Sequence, residues 1–410
     1  NGKNLLGING LGRIGKLTLW WQIQRGHFDG FIVNLGRKAG TSLTDVLDAI
    51  GNDSTYGPIE RFLGGINEPR SLHVLDEASG LCEIQGKPVR ILRSARNPKD
   101  VDWHAEGVRV VVDCTGAFND PTVPVDASKG SLRGHLEGGA RVVLNSAPFK
   151  IKDKSKKTPE DAAMLIYGIN HAQFDPQRHH VLSAASCTTT GLAHMLKPLL
   201  DNEVTAHILT ASMSTIHAAT NTQSVLDSVP SADATDLRKN RAVFDNIILS
   251  TTGAASALEK VLPAISKVGF MADSVRVPTS TVSLINLNLT FHSPLDEKGE
   301  PIVTRGLING IYAQAAEGAQ RGLLHFTERQ NVSCDLKGRK AAVVIEGHEN
   351  HTRTGFIQVP REALAPYGLQ DAEILVPVTH AKIFGWYDNE FGSYTNCLGE
   401  LTVYVDKALG

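Results

Sequence analysis

Cys187 stands in the heptapeptide SCTTTGL, with hydroxyl side chains at Ser186, Thr188, Thr189 and Thr190. A cysteine that serves only as a small buried residue is ordinarily packed among apolar neighbours. This one is surrounded by groups that line polar or anion sites. The segment HHVLSAASCTTTGLAHMLKPLL (residues 179–200) reads as a strand, a hydroxyl-rich turn and a helix, with an apolar stripe through Leu192, Met195, Leu196 and Leu199. Cys187 therefore falls at or near a helix N-terminus. That position lowers a thiol pKa and favours the thiolate, the nucleophilic form. Farther on, HILTASMSTIH (207–217) alternates as a strand and ends at His217. If the fold brings the two together, they make an activated thiolate–imidazolium pair. The competing reading is that His217 is one structural histidine among 15.

The N-terminal stretch KNLLGINGLGRIGKLTLWWQIQRGHFDGFIVNLGR (3–37) holds the elements such a pair would work with. Residues 3–9 read as a buried strand, a helix follows to about Gln24, and Phe31, Ile32 and Val33 form a second strand. Between strand and helix lies Gly10-Leu11-Gly12-Arg13-Ile14-Gly15, a G-x-G-x-x-G in the context a dinucleotide requires. Gly10 permits the tight turn, Gly12 lets the backbone approach a pyrophosphate, and Gly15 lets helix and strand pack closely. An acid ~20 residues after the glycines accepts the ribose 2′-hydroxyl in folds that prefer NAD. Here that position is Leu35, followed by Arg37 and Lys38. The cofactor is therefore NAD or NADP, with a lean to NADP or dual use. VRVVVDCTGAF (108–118), ending in Thr115-Gly116, and GARVVLNSAPF (139–149), ending in Asn145-Ser146, read as further parallel strands whose C-terminal ends face the ligand crevice. DASKGSLRGHLEGG between them is expected to be a solvated cover, and KIKDKSKKTPED (150–161) a solvated charged loop.

With 410 residues the chain exceeds one ordinary core, which predicts two domains. Its net charge of −2 gives no field suited to nucleic acid. No run approaches ~18 uninterrupted apolar residues, so no membrane helix is expected. The five cysteines are scattered and odd in number, which fits neither a disulfide framework nor a zinc site and favours a reducing, cytoplasmic setting. No metal is expected. The chain begins at Asn1 without a methionine, so a leader or N-terminal extension is left open.

Taken in order, GINGLGRIG, ASCTTTGLAHMLKPL, STIHAATNTQSVLD, STTGAASALEKVLP, RVPTSTVSLINLNLTF and GWYDNEFGSYTN resemble the glyceraldehyde-3-phosphate dehydrogenase family over nearly the whole chain. The resemblance implies an α/β fold: a Rossmann-type parallel-sheet domain, 1–184 completed by a C-terminal helix 390–410, plus an α+β catalytic domain with a mixed sheet, 185–389. It implies a homotetramer that oxidises glyceraldehyde 3-phosphate, with NAD(P) and inorganic phosphate, to 1,3-bisphosphoglycerate through a Cys187 thioester. His217 would be the base. The cofactor would meet the backbone of Arg13 and Ile14, and also Arg96, Ser146 and Asn389, the last holding the nicotinamide carboxamide. Substrate phosphate would lie near Thr220 and Arg276, and the attacking phosphate near Ser186, Thr188, Arg241, Thr252 and Gly253.

The chain also departs from the family, which commonly reads SCTTNCL where this sequence has Thr190 and Gly191. An insertion is expected at about 341–380, with a helix starting after Pro360. A helical stripe is expected from Tyr394 to Leu409. Two other functions stay open at this point: erythrose-4-phosphate oxidation with water as acyl acceptor, and a non-catalytic redox-sensing or RNA-binding homologue.

Overall fold

This computed structural model of the chain describes residues 2–369 and 373–410; Asn1, at which the sequence begins, and residues 370–372 of the expected insertion lie outside the described residues. Two compact units are present, Asn1–Cys187 with Glu390–Gly410, and Thr188–Asn389.

In chain order the strands of the first unit are β1 (Leu5–Asn9), β2 (Gly30–Asn34), the short pair β3 (Asn52–Asp53) and β4 (Gly57–Pro58), β5 (Leu72–Asp76), β6 (Leu81–Ile84), β7 (Lys87–Leu92), β8 (Val108–Asp113), β9 (Val142–Asn145), β10 (Ala162–Met164) and β11 (Val181–Ser183). All but β3 and β4 form a nine-stranded sheet of order β10-β11-β9-β8-β1-β2-β7-β6-β5. Pairings from β10 through β7 are parallel, and β6 and β5 close one edge antiparallel. The helices are α1 (Arg13–Arg25), α2 (Leu43–Gly51), α3 (Ile59–Gly64), α4 (Arg133–Glu137) and, from the C-terminal segment, α9 (Asn396–Ala408). The continuous apolar runs of β2 and β8 are buried along nearly their whole length, as strands covered on both faces must be.

The stripe expected from Tyr394 is realised as α9, entered through a π-helical turn at Phe391–Thr395. Phe391 packs among Trp20, Trp21 and Phe62, and the Trp21 indole N–H donates to the Phe391 carbonyl at 2.7 Å. At the other end of α9 the buried Asp406 accepts from Asn4 Nδ2 (2.9 Å) and Arg109 Nε (2.8 Å), and pairs with His27 Nε2 (2.8 Å).

The C-terminal ends of the parallel strands carry a buried polar row. Register sets Asn34, Asn9, Asp113, Asn145 and Ser183 side by side. Asn34 Nδ2 donates to Asn9 Oδ1, and Asn9 Nδ2 to Asp113 Oδ2, both at 2.8 Å. One expectation fails beside this row. The segment read as a solvated cover includes Ser131, Leu132 and His135, all buried. Trp103 Nε1 donates to His135 Nδ1 at 3.0 Å, and His135 Nε2 lies 3.0 Å from Asp113 Oδ2. An indole N–H can only donate, so Nδ1 holds a lone pair and Nε2–H faces the carboxylate. The segment is divided: Asp126, Ser128, Lys129 and Glu137 are exposed as a cover would be, whereas His135 is held in a buried hydrogen-bonded row.

The second unit contains β12 (Ile208–Ala218), β13 (Ile248–Ser250), β14 (Gly269–Val277), β15 (Ser283–His292), β16 (Leu324–Thr327), β17 (Val343–Glu346), β18 (His351–Gln358) and β19 (Leu375–Tyr387). They form a mixed sheet ordered β13-β14-β12-β15-β19-β17-β16, with β18 paired to β19. The strand expected to end at His217 is β12. Its helices are α5 (Cys187–Leu200), whose first residue closes the first unit, α6 (Ala254–Val261), α7 (Arg305–Glu317) and α8 (Arg361–Leu364). In α5 the expected stripe Leu192, Met195, Leu196 and Leu199 is fully buried, and β15 buries alternate residues from Ser283 to Phe291. The helix expected after Pro360 is only the four-residue α8. It lies in the connection between β18 and β19, which pair in register from His351↔Lys382 to Gln358↔Leu375.

Burial pushes the Asp406 carboxyl up, but hydrogen bonds from Arg109, Asn4 and His27 outweigh it and leave the group below the usual carboxylate range. Asp406→Ala is expected to cost about 1–3 kcal/mol, because three part-buried donors lose their shared acceptor. Wild-type stability from this group is present above the unfolded value of about 3.9 and is lost as pH falls through the lower folded value. Urea unfolding of both proteins from neutral to acid pH checks this.

Candidate active site

The first unit supplies a cradle at the head of α1. Gly10 has φ +89°, and a Cβ there would meet Thr115 Cγ2 at 2.9 Å; a Cβ on Gly15 would lie 2.0 Å from the Gly10 carbonyl oxygen. These two glycines are required by the protein itself. Gly12, the N-cap of α1, differs: a Cβ on it would meet nothing within 4 Å, and no side chain caps the helix or places an acid in its first turn. Uncapped helix amides beside open space suit a pyrophosphate, so the residues present fit a dinucleotide. The Thr115 amide (3.0 Å) and hydroxyl (2.6 Å) both donate to Asp113 Oδ1, and the Ser146 amide donates to the Asp113 carbonyl at 2.9 Å. Gly116, next in the turn, has φ +68°. Leu35 and Arg37 line a cavity of about 330 Å³ with Gly12. Arg96 is exposed in the loop after β7, beside Gly36.

Arg13 was expected to act through its backbone. Its side chain does something else: it pairs with the buried Asp53 and with Glu390, Nη2 to Oε2 at 2.5 Å. Burial works against the guanidinium's charge, but the Glu390 and Asp53 carboxylates more than restore it. Lys16 also reaches Asp53, at 2.8 Å. The glycine loop is thereby tied to the residue that begins the C-terminal segment.

Cys187 is half-buried and is the first residue of α5. Two residues before it, Ala185 has φ +55°, an uncommon left-handed conformation for a residue with a Cβ. Two bonds fix it: its amide donates to Ser183 Oγ (3.1 Å), and its carbonyl accepts from the Tyr394 hydroxyl (2.9 Å). Strain held this way is a device for aiming a side chain. Burial pushes the Cys82 thiol to about 11 and those of Cys114 and Cys397 to about 12, while Cys334 is exposed.

In the second unit Thr188, next to the cysteine, and Thr215 both hydrogen-bond the Tyr387 hydroxyl, at 2.9 and 2.7 Å. The His217 ring meets Tyr387 edge-on, with centroids 6.0 Å apart. Parallel pairing of β12 and β14 sets His217 opposite Arg276. Arg276 Nη1 lies 2.6 Å from His217 Nδ1 and donates to the Ala218 carbonyl at 3.1 Å, which is itself 2.8 Å from Nδ1. Nδ1 cannot both accept from the guanidinium and donate to the carbonyl. The first arrangement puts the ring proton on Nε2; the second leaves Nε2 with the lone pair a base needs. Burial and then the Arg276 charge push the imidazole down to about 4, so it is neutral near pH 7 and the imidazolium of the expected ion pair is disfavoured.

Asn389 is anchored by a chain the sequence did not suggest. The Ala218 amide donates to Ser283 Oγ, and Ser283 Oγ donates to Asn389 Oδ1, both at 3.0 Å. The Asn389 NH2 group is thus the end suited to donating to a ligand. Val282, just before Ser283, has φ +66°, a marked outlier for a β-branched residue.

The phosphate candidates are less assembled. Thr220 bonds Thr222 and Gln223 within its own loop. Arg241 is exposed and paired with Asp227 at 3.1 Å. Thr252 and Gly253 head α6, where Thr252 Oγ1 accepts from the Ala254 amide at 3.2 Å. Ser186 follows the strained Ala185. Sequence reasoning missed Tyr387, Ser283, Asp53 and Asp113. The one available signal was position: Tyr387 lies within the GWYDNE segment, and Ser283 and Asp113 lie at strand ends.

The first unit thus carries a glycine cradle and a helix-head cysteine, and the second a strand-end histidine. Residues 186–360 match the family model described as glyceraldehyde 3-phosphate dehydrogenase, C-terminal domain, and residues 5–121 match its NAD binding domain. The chain belongs to the glyceraldehyde-3-phosphate dehydrogenase family. It is 33% identical to a glyceraldehyde-3-phosphate dehydrogenase of Streptomyces coelicolor over 409 residues, covering 98% of this chain and 99% of that protein. Glyceraldehyde-3-phosphate dehydrogenase 2 of Caenorhabditis elegans is 32% identical over 407 residues, 98% of each chain. The cytosolic enzyme of Chlamydomonas reinhardtii is 30% identical over 410 residues, covering 99% of this chain and 98% of that one. Membership in this family makes the chain an oxidoreductase with an NAD-binding domain, and the open space at Gly12 agrees. Among the described residues no helix is long and apolar enough to cross a membrane.

Because burial is the larger cause of the His217 shift, Arg276→Gln should raise the imidazole pKa from about 4 yet leave it below 6.5. NMR titration of the His217 ring checks this; a value that stays at 4 would remove Arg276 as a cause. In the wild-type protein the unfolded chain takes up a proton near 6.5 that the fold refuses until about 4, so this group lowers stability as pH falls through that window.

Proposed function

We propose that the chain oxidises glyceraldehyde 3-phosphate to 1,3-bisphosphoglycerate, using NAD or NADP and inorganic phosphate. The observation that carries this reading is Cys187 at the head of α5, in a chain whose other unit-one loops form a dinucleotide cradle. The Cys187 thiolate attacks the aldehyde carbon and forms a hemithioacetal. Arg276, drawn to the substrate phosphate, leaves Nδ1–H of His217 to the Ala218 carbonyl and gives Nε2 the lone pair. His217 then takes the hydroxyl proton as the carbon gives up hydride. The nicotinamide, when bound, supplies the hydride acceptor. The Cys187 amide at the helix head is a donor for the developing oxyanion. Inorganic phosphate then attacks the thioester carbon, releasing the acyl phosphate and restoring the thiolate. Ser186, Thr188, Thr252 and Gly253 supply hydroxyl and amide donors for it.

Asn389, with Oδ1 held by Ser283, offers its NH2 group to the carboxamide of the nicotinamide. Arg37 at the wall of the cavity beside Gly12 favours admission of a 2′-phosphate, which supports use of NADP as well as NAD. A homotetramer is supported by the exposed apolar side chains Val225, Leu226, Val229, Ile247 and Met271 in the second unit. The five free thiols support a reducing, cytoplasmic setting.

Cys187→Ser should abolish turnover while the cofactor still binds, and His217→Asn should slow the chemical step by ~10²–10⁴-fold. In a single-turnover experiment, thioester breakdown should depend on phosphate. Breakdown at the same rate in its absence would make water the acyl acceptor and overturn the phosphorylating reading.

A further inference from the structure

Leu35, where an acid was sought, is apolar, yet the cavity it lines is not without a carboxylate. The walls include Gly12, Leu35, Arg37, Gly40 and Asp45. A dinucleotide's adenosine ribose sits between the second glycine and the end of the second strand, so the 2′ substituent belongs here. That step rests on the reading of the glycine loop as a dinucleotide cradle.

Asp45 arrives from α2, not from the strand. It is the third residue of the helix and forms a reciprocal cap with Ser42. Its Oδ2 accepts the Thr41 amide (2.7 Å), the Thr41 hydroxyl (2.6 Å) and the Ser42 amide (3.0 Å). These donors hold the carboxyl below its usual range, so it is ionised at neutral pH. All three bonds fall on one oxygen, and Oδ1 takes none of them. The loop can close onto the helix only through Gly40, which has φ +69° and where a Cβ would lie 2.9 Å from Asp45 Cβ. Arg37 faces the same space with the opposite charge.

We propose that Asp45 is the residue that discriminates between NAD and NADP, accepting the ribose 2′-hydroxyl and repelling a 2′-phosphate, while Arg37 sets the residual tolerance of NADP. The usual carboxylate is thus replaced by one delivered ten residues later by a helix cap.

The test is calorimetric binding of NAD and of NADP to the full-length wild type, Asp45→Asn and Arg37→Gln at one ionic strength, with no turnover involved. Asp45→Asn keeps an oxygen for the cap and removes only the charge. It should raise NADP affinity relative to NAD about tenfold, the effect of one screened charge on a nearby dianion. Arg37→Gln should shift the ratio the other way. If Asp45→Asn melts early, Asp45→Ser must still move the ratio in the same direction. A ratio unchanged in both Asp45 variants while Arg37→Gln lowers it would overturn the role of Asp45 but keep the cavity as the ribose site. No change in either Kd for any variant would overturn the assignment of the cavity to the ribose, and the proposal with it.

Discussion

Asp113 is a carboxylate with no exposed surface, and the first unit's ligand loops depend on how it is held. A buried charge is costly unless several donors meet it. Asn9, His135 and the Thr115 amide and hydroxyl do so, and Asn34 completes the row through Asn9. Asn9, Asn34 and Asp113 each terminate a strand, Thr115 lies in the turn that follows, and His135 comes from α4. The loops after β1, β8 and β9 therefore leave the sheet from fixed points. Ser183, at the end of β11, does the same for Ala185 and so for the turn into Cys187. The Ser183 hydroxyl also donates to the Ala147 carbonyl at 2.7 Å, which joins that turn to the loop holding Ser146.

The second unit relies on register. Side chains alternate along a strand, so a slip of one residue between β12 and β14 would put His217 and Arg276 on opposite faces. In the observed pairing burial, and after it the Arg276 charge, keeps the imidazole neutral. The Ser283 hydroxyl then relates that histidine's neighbour, Ala218, to Asn389 through two hydrogen bonds. The left-handed Val282 shows that the backbone accepts strain to set Ser283 there.

What could be read from the sequence follows from the range of the forces involved. The β1–α1–β2 unit, the helix starting at Cys187 and the strand ending at His217 rest on local periodicity and glycine spacing, and all three are present. The burial of His135 could not be read, because its partners Trp103 and Asp113 come from other elements. Asp45 escaped notice because spacing rules count along the chain, whereas a cap brings a side chain back across a turn. Ala185 and Val282 have nothing in their residue type to announce positive φ; only surrounding bonds hold them there. The region after Pro360 shows the same limit. A proline and a helix-forming run marked the right start for α8, but the helix is a single turn in the connection between the paired strands β18 and β19.

Trp20 and Trp21 are both buried, and the second gives its indole proton to the carbonyl of the first π-helical residue. Detachment of the C-terminal segment would hydrate that indole and shift its emission to longer wavelength. The pair is therefore a built-in optical gauge of whether the chain's last helix is seated, readable without any added dye.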